Sequence, residues 1–216
     1  FFLIGYARGR DLPLKLWIGI GILILGDILA GRDLFPLNAL VTIALIRVLI
    51  DPFMETMLKS QFHLWMISVV LFLIVIPTGM FSEYGALGLI TAIFGYLVRN
   101  KQDLKIMTDG KFNERDVTHY MLFALACFVG IQQLSFLFTL EQFLFMAIGT
   151  AIVRIALLYY KMDSFPRLTR DVGLVPRYLL QLCGRRTLEI YVAHLLILKF
   201  AAAGNASVPV MGYMMQ

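Results

Sequence analysis

Charge is what this chain has least of. Only 15% of its 216 residues are charged, against about 25% in an ordinary soluble domain. The hydrophobic share is 60% and the mean hydropathy is +0.81. A water-soluble globule is thereby excluded, and an integral membrane protein is the expected class. Cysteine is also scarce. Cys127 and Cys183 fall in or beside apolar segments, so neither a disulfide framework nor a cysteine metal quartet is expected. No P-loop, nucleophile elbow, dinucleotide fingerprint or metal-ligand spacing is present, which leaves ATP-driven and hydride chemistry without support. There is no internal repeat and no matched pair of broken helices, so a small-solute transporter is poorly supported. The first residue is not methionine, and FFLIGYARGR reads as the last turns of an apolar helix meeting a basic edge, not as a signal peptide. The expectation is that at least part of an earlier helix precedes Phe1.

What the chain does have is a series of apolar runs. They predict an all-α polytopic transmembrane bundle, one domain across 1–216, with about seven full spans plus the end of an earlier helix. The runs are Leu16–Ala30, Pro36–Ile50, Leu64–Met80, Tyr84–Val98, His119–Phe138, Phe143–Tyr160 and the closing Gly184–Lys199. Pro52 is read as the break after the second run, and Trp65 as an interfacial anchor opening the third. The glycines of the fourth, Gly85, Gly88 and Gly95, suit close helix packing. The stretch 99–118 is the longest polar one and reads as a solvated loop or surface helix.

Alternating these spans puts segments 1–15, 51–63, 99–118 and 161–186 on one side. Together they hold 15 of the 19 lysines and arginines, and the opposite side holds only Arg32. Short connectors rich in Lys and Arg stay in the cytoplasm, so the basic side is expected to be cytoplasmic in an inner membrane. The net charge of +5 is a topology signal, and nucleic acid is not an expected partner.

A bilayer accepts ionisable groups only where they pair, face a cavity or reach the interface. The closing run, GRRTLEIYVAHLLILK, carries Glu189, Tyr191 and His194, with Tyr191 and His194 on one helical stripe. Arg47, His63, Arg154, Glu189 and His194 all fall in the basic half or near the midplane, while Asp27, Glu83 and Lys199 lie toward the other face. One reading is a cavity for an anionic ligand, because the planar arginine fork binds two phosphate oxygens and a near-neutral histidine can take a proton. The other is structural: the histidines bond neighbouring helices, and the two arginines reach the headgroups.

At FFLIGYARGRD, SEYGALGLITAIFGYLV and GRRTLEIYVAHLLILK the chain resembles TraX-type pilin acetylases and, more distantly, the acyltransferase-3 families. The likeness runs in order along most of the chain, through loose, apolar motifs. It implies transfer of an acetyl or other acyl group from acetyl-CoA to an acceptor such as a pilin or a surface glycan. It further implies a main catalytic base on a helix before Phe1, with His194, His63 and Glu189 the catalytic candidates that remain. Arg8 and Arg10 match the basic positions after the GY segment and would meet the CoA phosphates, with Arg47 and Arg154 as further donor-binding candidates. Membrane lipid and a larger membrane complex are the other partners to consider. A non-catalytic membrane subunit of a pilus, secretion or polysaccharide assembly remains the alternative.

Overall fold

The computed structural model describes residues 1–7, 11–31, 33–161 and 186–204. Among them every regular element is helical, and no strand is present. The helices are α1 (Phe2–Tyr6), α2 (Leu14–Leu29), α3 (Ala39–Met57), α4 (Gln61–Leu73), α5 (Val75–Phe81), α6 (Gly85–Arg99), α7 (Leu104–Met107), α8 (Glu114–Phe136), α9 (Leu140–Leu158) and α10 (Thr187–Gly204).

Helix α6 is the axis of the larger core. Most of its residues are buried, and Phe94, Ile90, Ile93 and Ala92 are wholly enclosed by α1, α3, α4 and α8. Glycine makes the tightest of these contacts possible. A Cβ on Gly5 would lie 1.7 Å from the Ala92 carbonyl oxygen, and one on Gly95 would lie 2.1 Å from that of Phe2. The backbones of α1 and α6 therefore touch, as small residues allow where helices cross in an apolar medium. Phe2 then reaches Phe94 and Tyr160, with ring centroids 5.4 and 6.0 Å apart.

A smaller core joins α2 and α10 to one face of α3 through Leu16, Ile20, Leu23, Leu40, Ala44 and Val192. Lys15 pairs with Glu189 at 3.0 Å, and Asp27 pairs with Lys199. Two ion pairs that advance together along both helices make α2 and α10 parallel. Between them Gly19 faces Leu40 and Val192, and Gly26 faces Leu196.

The EYG sequence at 83–85 has a structural cause. The Glu83 carboxylate accepts from the Ala39 amide at 2.9 Å, stabilising the positive end of α3. Its backbone amide donates to Leu37 and its carbonyl accepts from the Thr42 hydroxyl. Tyr84 takes a left-handed conformation (φ 67°), and Gly85 follows at φ 35° with no room for a Cβ against Thr78.

Several expectations change here. About seven spans are expected, whereas two described helices, α8 and α9, are long and apolar enough to cross a membrane. A third counts if α4 and α5, bent by 55°, form one span. The shortfall is physical: α2 has 16 residues and α6 has 15, below the roughly 20 a bilayer requires, and α3 carries Arg47, Asp51 and Glu55. Pro52 does not end the second run, because α3 continues through it to Met57. A break falls instead at Ile74, between α4 and α5, where Pro77, with no amide proton, cannot donate to the Leu73 carbonyl four residues before it. Trp65 is half-buried and packs inward on Tyr120 and Phe123. The polar stretch is anchored too, since Leu104 and Phe112 within it are fully buried. Helix α8 starts at Glu114, before the apolar run, because Asn113 and Asp116 form a reciprocal cap there.

Helix α9 presents Phe145, Ile152 and Val153 outward, and among the larger apolar side chains of α8 Leu122 and Leu134 are exposed. So much outward apolar surface on two spanning-length helices suits lipid and not water. Both features point to a membrane protein.

Candidate functional site

Helix α1 stands between two cavities. At its C-terminal end Tyr6 enters a cavity of about 400 Å³ formed with the end of α6, the start of α8 and the end of α9. Arg99, Lys101 and Lys161 supply three cations to its wall, and Tyr159 and Tyr160 add aromatic faces. The site is cross-linked rather than loose. Arg99 donates to the Ala7 carbonyl at 3.1 Å, Lys101 pairs with Glu114 at 3.2 Å, and its ammonium lies 5.5 Å from the Tyr159 ring centre. Tyr6 and Tyr160 meet edge to face at 5.1 Å. Cations set among aromatic rings can hold phosphates and a stacked heterocycle.

The second cavity, about 690 Å³, lies on the other side of α1, against α2, α3 and α10. Its walls are apolar except for Arg47, Thr187 and the tyrosines Tyr84 and Tyr191. Nη1 of Arg47 donates to the Asp11 carbonyl, and its Nε is enclosed with no hydrogen-bond partner among the described residues.

The candidates read from the sequence do not converge on one of these places. His63 sits in the first turn of α4, where its Nδ1 is 2.7 Å from the hydroxyl of the capping Ser60. Glu189 is taken up by Lys15 on α2. His194 is exposed on α10, its Nδ1 3.3 Å from the Ile190 carbonyl and its ring against Tyr191. Arg154 is 6% exposed in the larger core: it donates to the Thr91 hydroxyl at 3.1 Å, covers the Phe94 ring, and keeps Nη1 buried without a partner. Arg47 lines the larger cavity. Arg8 and Arg10 lie outside the described residues, directly after the Ala7 whose carbonyl Arg99 holds.

Arg99, Lys101 and Lys161 are functional candidates that the sequence does not single out. They fall in stretches that read as solvated connectors, and their only signal is tyrosine at the adjoining helix ends. Among the described residues no group of His, Cys, Asp and Glu is placed to hold a metal ion. Compared with protein-family models, with curated proteins and with solved structures, the chain matches none.

Proposed function

We propose that the chain is an inner-membrane acyltransferase with its basic connectors in the cytoplasm. It takes an acetyl or related acyl group from acyl-CoA and passes it to a hydroxyl or amine of an acceptor such as a pilin or a surface glycan. The observation that carries this reading is the cavity of about 400 Å³ lined by Arg99, Lys101, Lys161 and three tyrosines. Its size lies within the range of small-molecule sites, roughly 300–1,000 Å³. In this reading the cations hold the phosphates of the donor, the tyrosines stack its adenine, and Arg8 and Arg10 add charge from the adjoining segment. The chemistry is balanced acyl exchange. A base removes the acceptor proton, the freed oxygen or nitrogen attacks the thioester carbonyl, and the CoA thiolate leaves and is protonated. His194 is the candidate base or relay on the described chain, reached by an acceptor approaching the outer side of α10. His63 and Glu189 are second to it, because Ser60 and Lys15 already engage them.

Titration of CoA into the purified protein tests the donor site. Replacing both Lys101 and Lys161 with alanine should weaken binding by about tenfold or more per lost charge-assisted phosphate contact. Unchanged affinity in that variant removes the proposed donor site. A second reading, a non-catalytic subunit of a larger assembly, is favoured by one observation: among the described residues the imidazole of His194 bonds within its own helix, to Ile190 and against Tyr191, and is exposed. His194→Gln separates the two. A base or relay loses about 10²–10⁴-fold in acetyl transfer, whereas a subunit has no transfer activity to lose and keeps its CoA-independent assembly.

A further inference from the structure

We propose that the larger cavity, between α1, α2, α3 and α10, binds a phosphate-headed membrane lipid, with Arg47 on the phosphate and the apolar walls around an acyl chain. The volume, about 690 Å³, is that of a formed ligand site and not of a packing defect. Its chemistry is sharply divided. Ile4, Leu40, Ile43 and Leu188 make an oily wall, and Arg47 is the one charged side chain among the described residues that line it. Arg47 is incompletely engaged. Nη1 is tied to the Asp11 carbonyl, Nε is enclosed, and among the described residues no carboxylate pairs with the guanidinium, so its charge is left for an anion in the cavity that its side chain lines.

The height of Arg47 fits a lipid head. Its hydrogen bond reaches Asp11, just before α2 begins at Leu14, and the Lys15–Glu189 pair lies one residue further in. Arg47 is thus mid-way along α3 but level with the start of α2, where the basic segment 1–15 meets the bundle and an anionic headgroup is expected. From Arg47 the cavity runs back along α3 to Ala39, eight residues or about 12 Å of helix. An anion at one end of an open apolar groove describes an amphiphile. A soluble phosphate would leave the groove unfilled, and a neutral oil would leave Arg47 unpaired. The site is separate from the basic cavity beyond α1, so this assignment stands or falls independently of acyl transfer.

Native mass spectrometry of the full chain in a neutral maltoside detergent tests it. The probes are phosphatidylglycerol, a diacylglycerol with the same chains, and soluble glycerol phosphate. The expected result is a preference of about tenfold or more for phosphatidylglycerol over diacylglycerol, with glycerol phosphate weaker still. Arg47→Gln should abolish that preference, and Arg47→Lys should restore part of it. Ile43→Trp, which fills the groove without touching the charge, should weaken both lipids. Retention of the preference in Arg47→Gln overturns the proposal, as does undiminished binding in Ile43→Trp or tight binding of glycerol phosphate. Where Arg47→Gln fails to fold, Ile43→Trp alone decides.

Discussion

Replacing Gly95 with alanine sets two effects of opposite sign against each other, and the geometry says which wins. In the middle of a helix alanine is favoured over glycine by about 1 kcal/mol. Against that, the new methyl carbon would stand 2.1 Å from the Phe2 carbonyl oxygen, 3.0 Å from its carbonyl carbon and 3.1 Å from the Tyr6 amide nitrogen. Real methyl carbons essentially never come within 3.0 Å of another heavy atom, so α1 must retreat by about 0.9 Å or α6 must bend. The obstacle is backbone, and no rotamer change relieves it. Retreat would also loosen Phe2 from Phe94 and Tyr160. Overpacking of this kind costs about 1–3 kcal/mol, and a backbone obstacle belongs at the upper end. The net expectation is a loss of about 1–2 kcal/mol after the propensity gain. For a chain of this size that is a fall in Tm of roughly 2–8 °C. Gly149→Ala, in α9, would place its methyl with nothing within 4 Å and should instead raise Tm or leave it unchanged. Thermal unfolding in detergent, followed by near-ultraviolet circular dichroism, reads both variants. If Gly95→Ala is as stable as Gly149→Ala, the backbone contact between α1 and α6 is wrong.

Two further changes probe the buried charges. Lys199→Met should cost about 3 kcal/mol, because it leaves Asp27 with its side chain only 16% exposed and its partner gone; Asp27→Leu with Lys199→Leu should recover most of the loss, and a double variant no more stable than the single one would refute the pairing. Arg154→Met should leave Tm unchanged or higher and CoA affinity unaltered, since it removes an enclosed cation that no carboxylate pairs with among the described residues. A lowered CoA affinity in that variant would place Arg154 in the donor site after all.

The helical class and the pairing of apolar runs with helices are legible in the sequence because hydropathy reports the solvent directly. Span number is not, because hydropathy gives the extent of an apolar run and not the path of its backbone. Pro52 and Pro77 make the point. Pro52 reads as a break and the run Leu64–Met80 as one span, yet α3 runs through Pro52 and the bend falls within that run, just before Pro77. The glycines of α6 are legible as packing residues, but their partner is not. Nothing in a sequence states that Gly95 meets Phe2, 93 positions away, and that single contact decides where α1 lies.

The ionisable residues follow the same rule. Their presence in apolar runs marks them as needing an explanation, and spacing along one helix offers a common face. Partnership, however, is settled across helices. Glu189 is answered by Lys15, Lys199 by Asp27, and His63 by the cap that starts its own helix. Each of these three has a structural partner, and the two arginines within the apolar runs are the ones that no carboxylate pairs with among the described residues. Among the described residues Arg47 has an enclosed nitrogen without a hydrogen-bond partner, and its side chain lines a cavity. Arg154 has a buried nitrogen without one too, but lies in a packed core against Thr91 and Phe94. The two arginines look equivalent in the sequence, at similar depth in apolar runs. Space for a ligand separates them, and it makes Arg47 the one to which an anion can come.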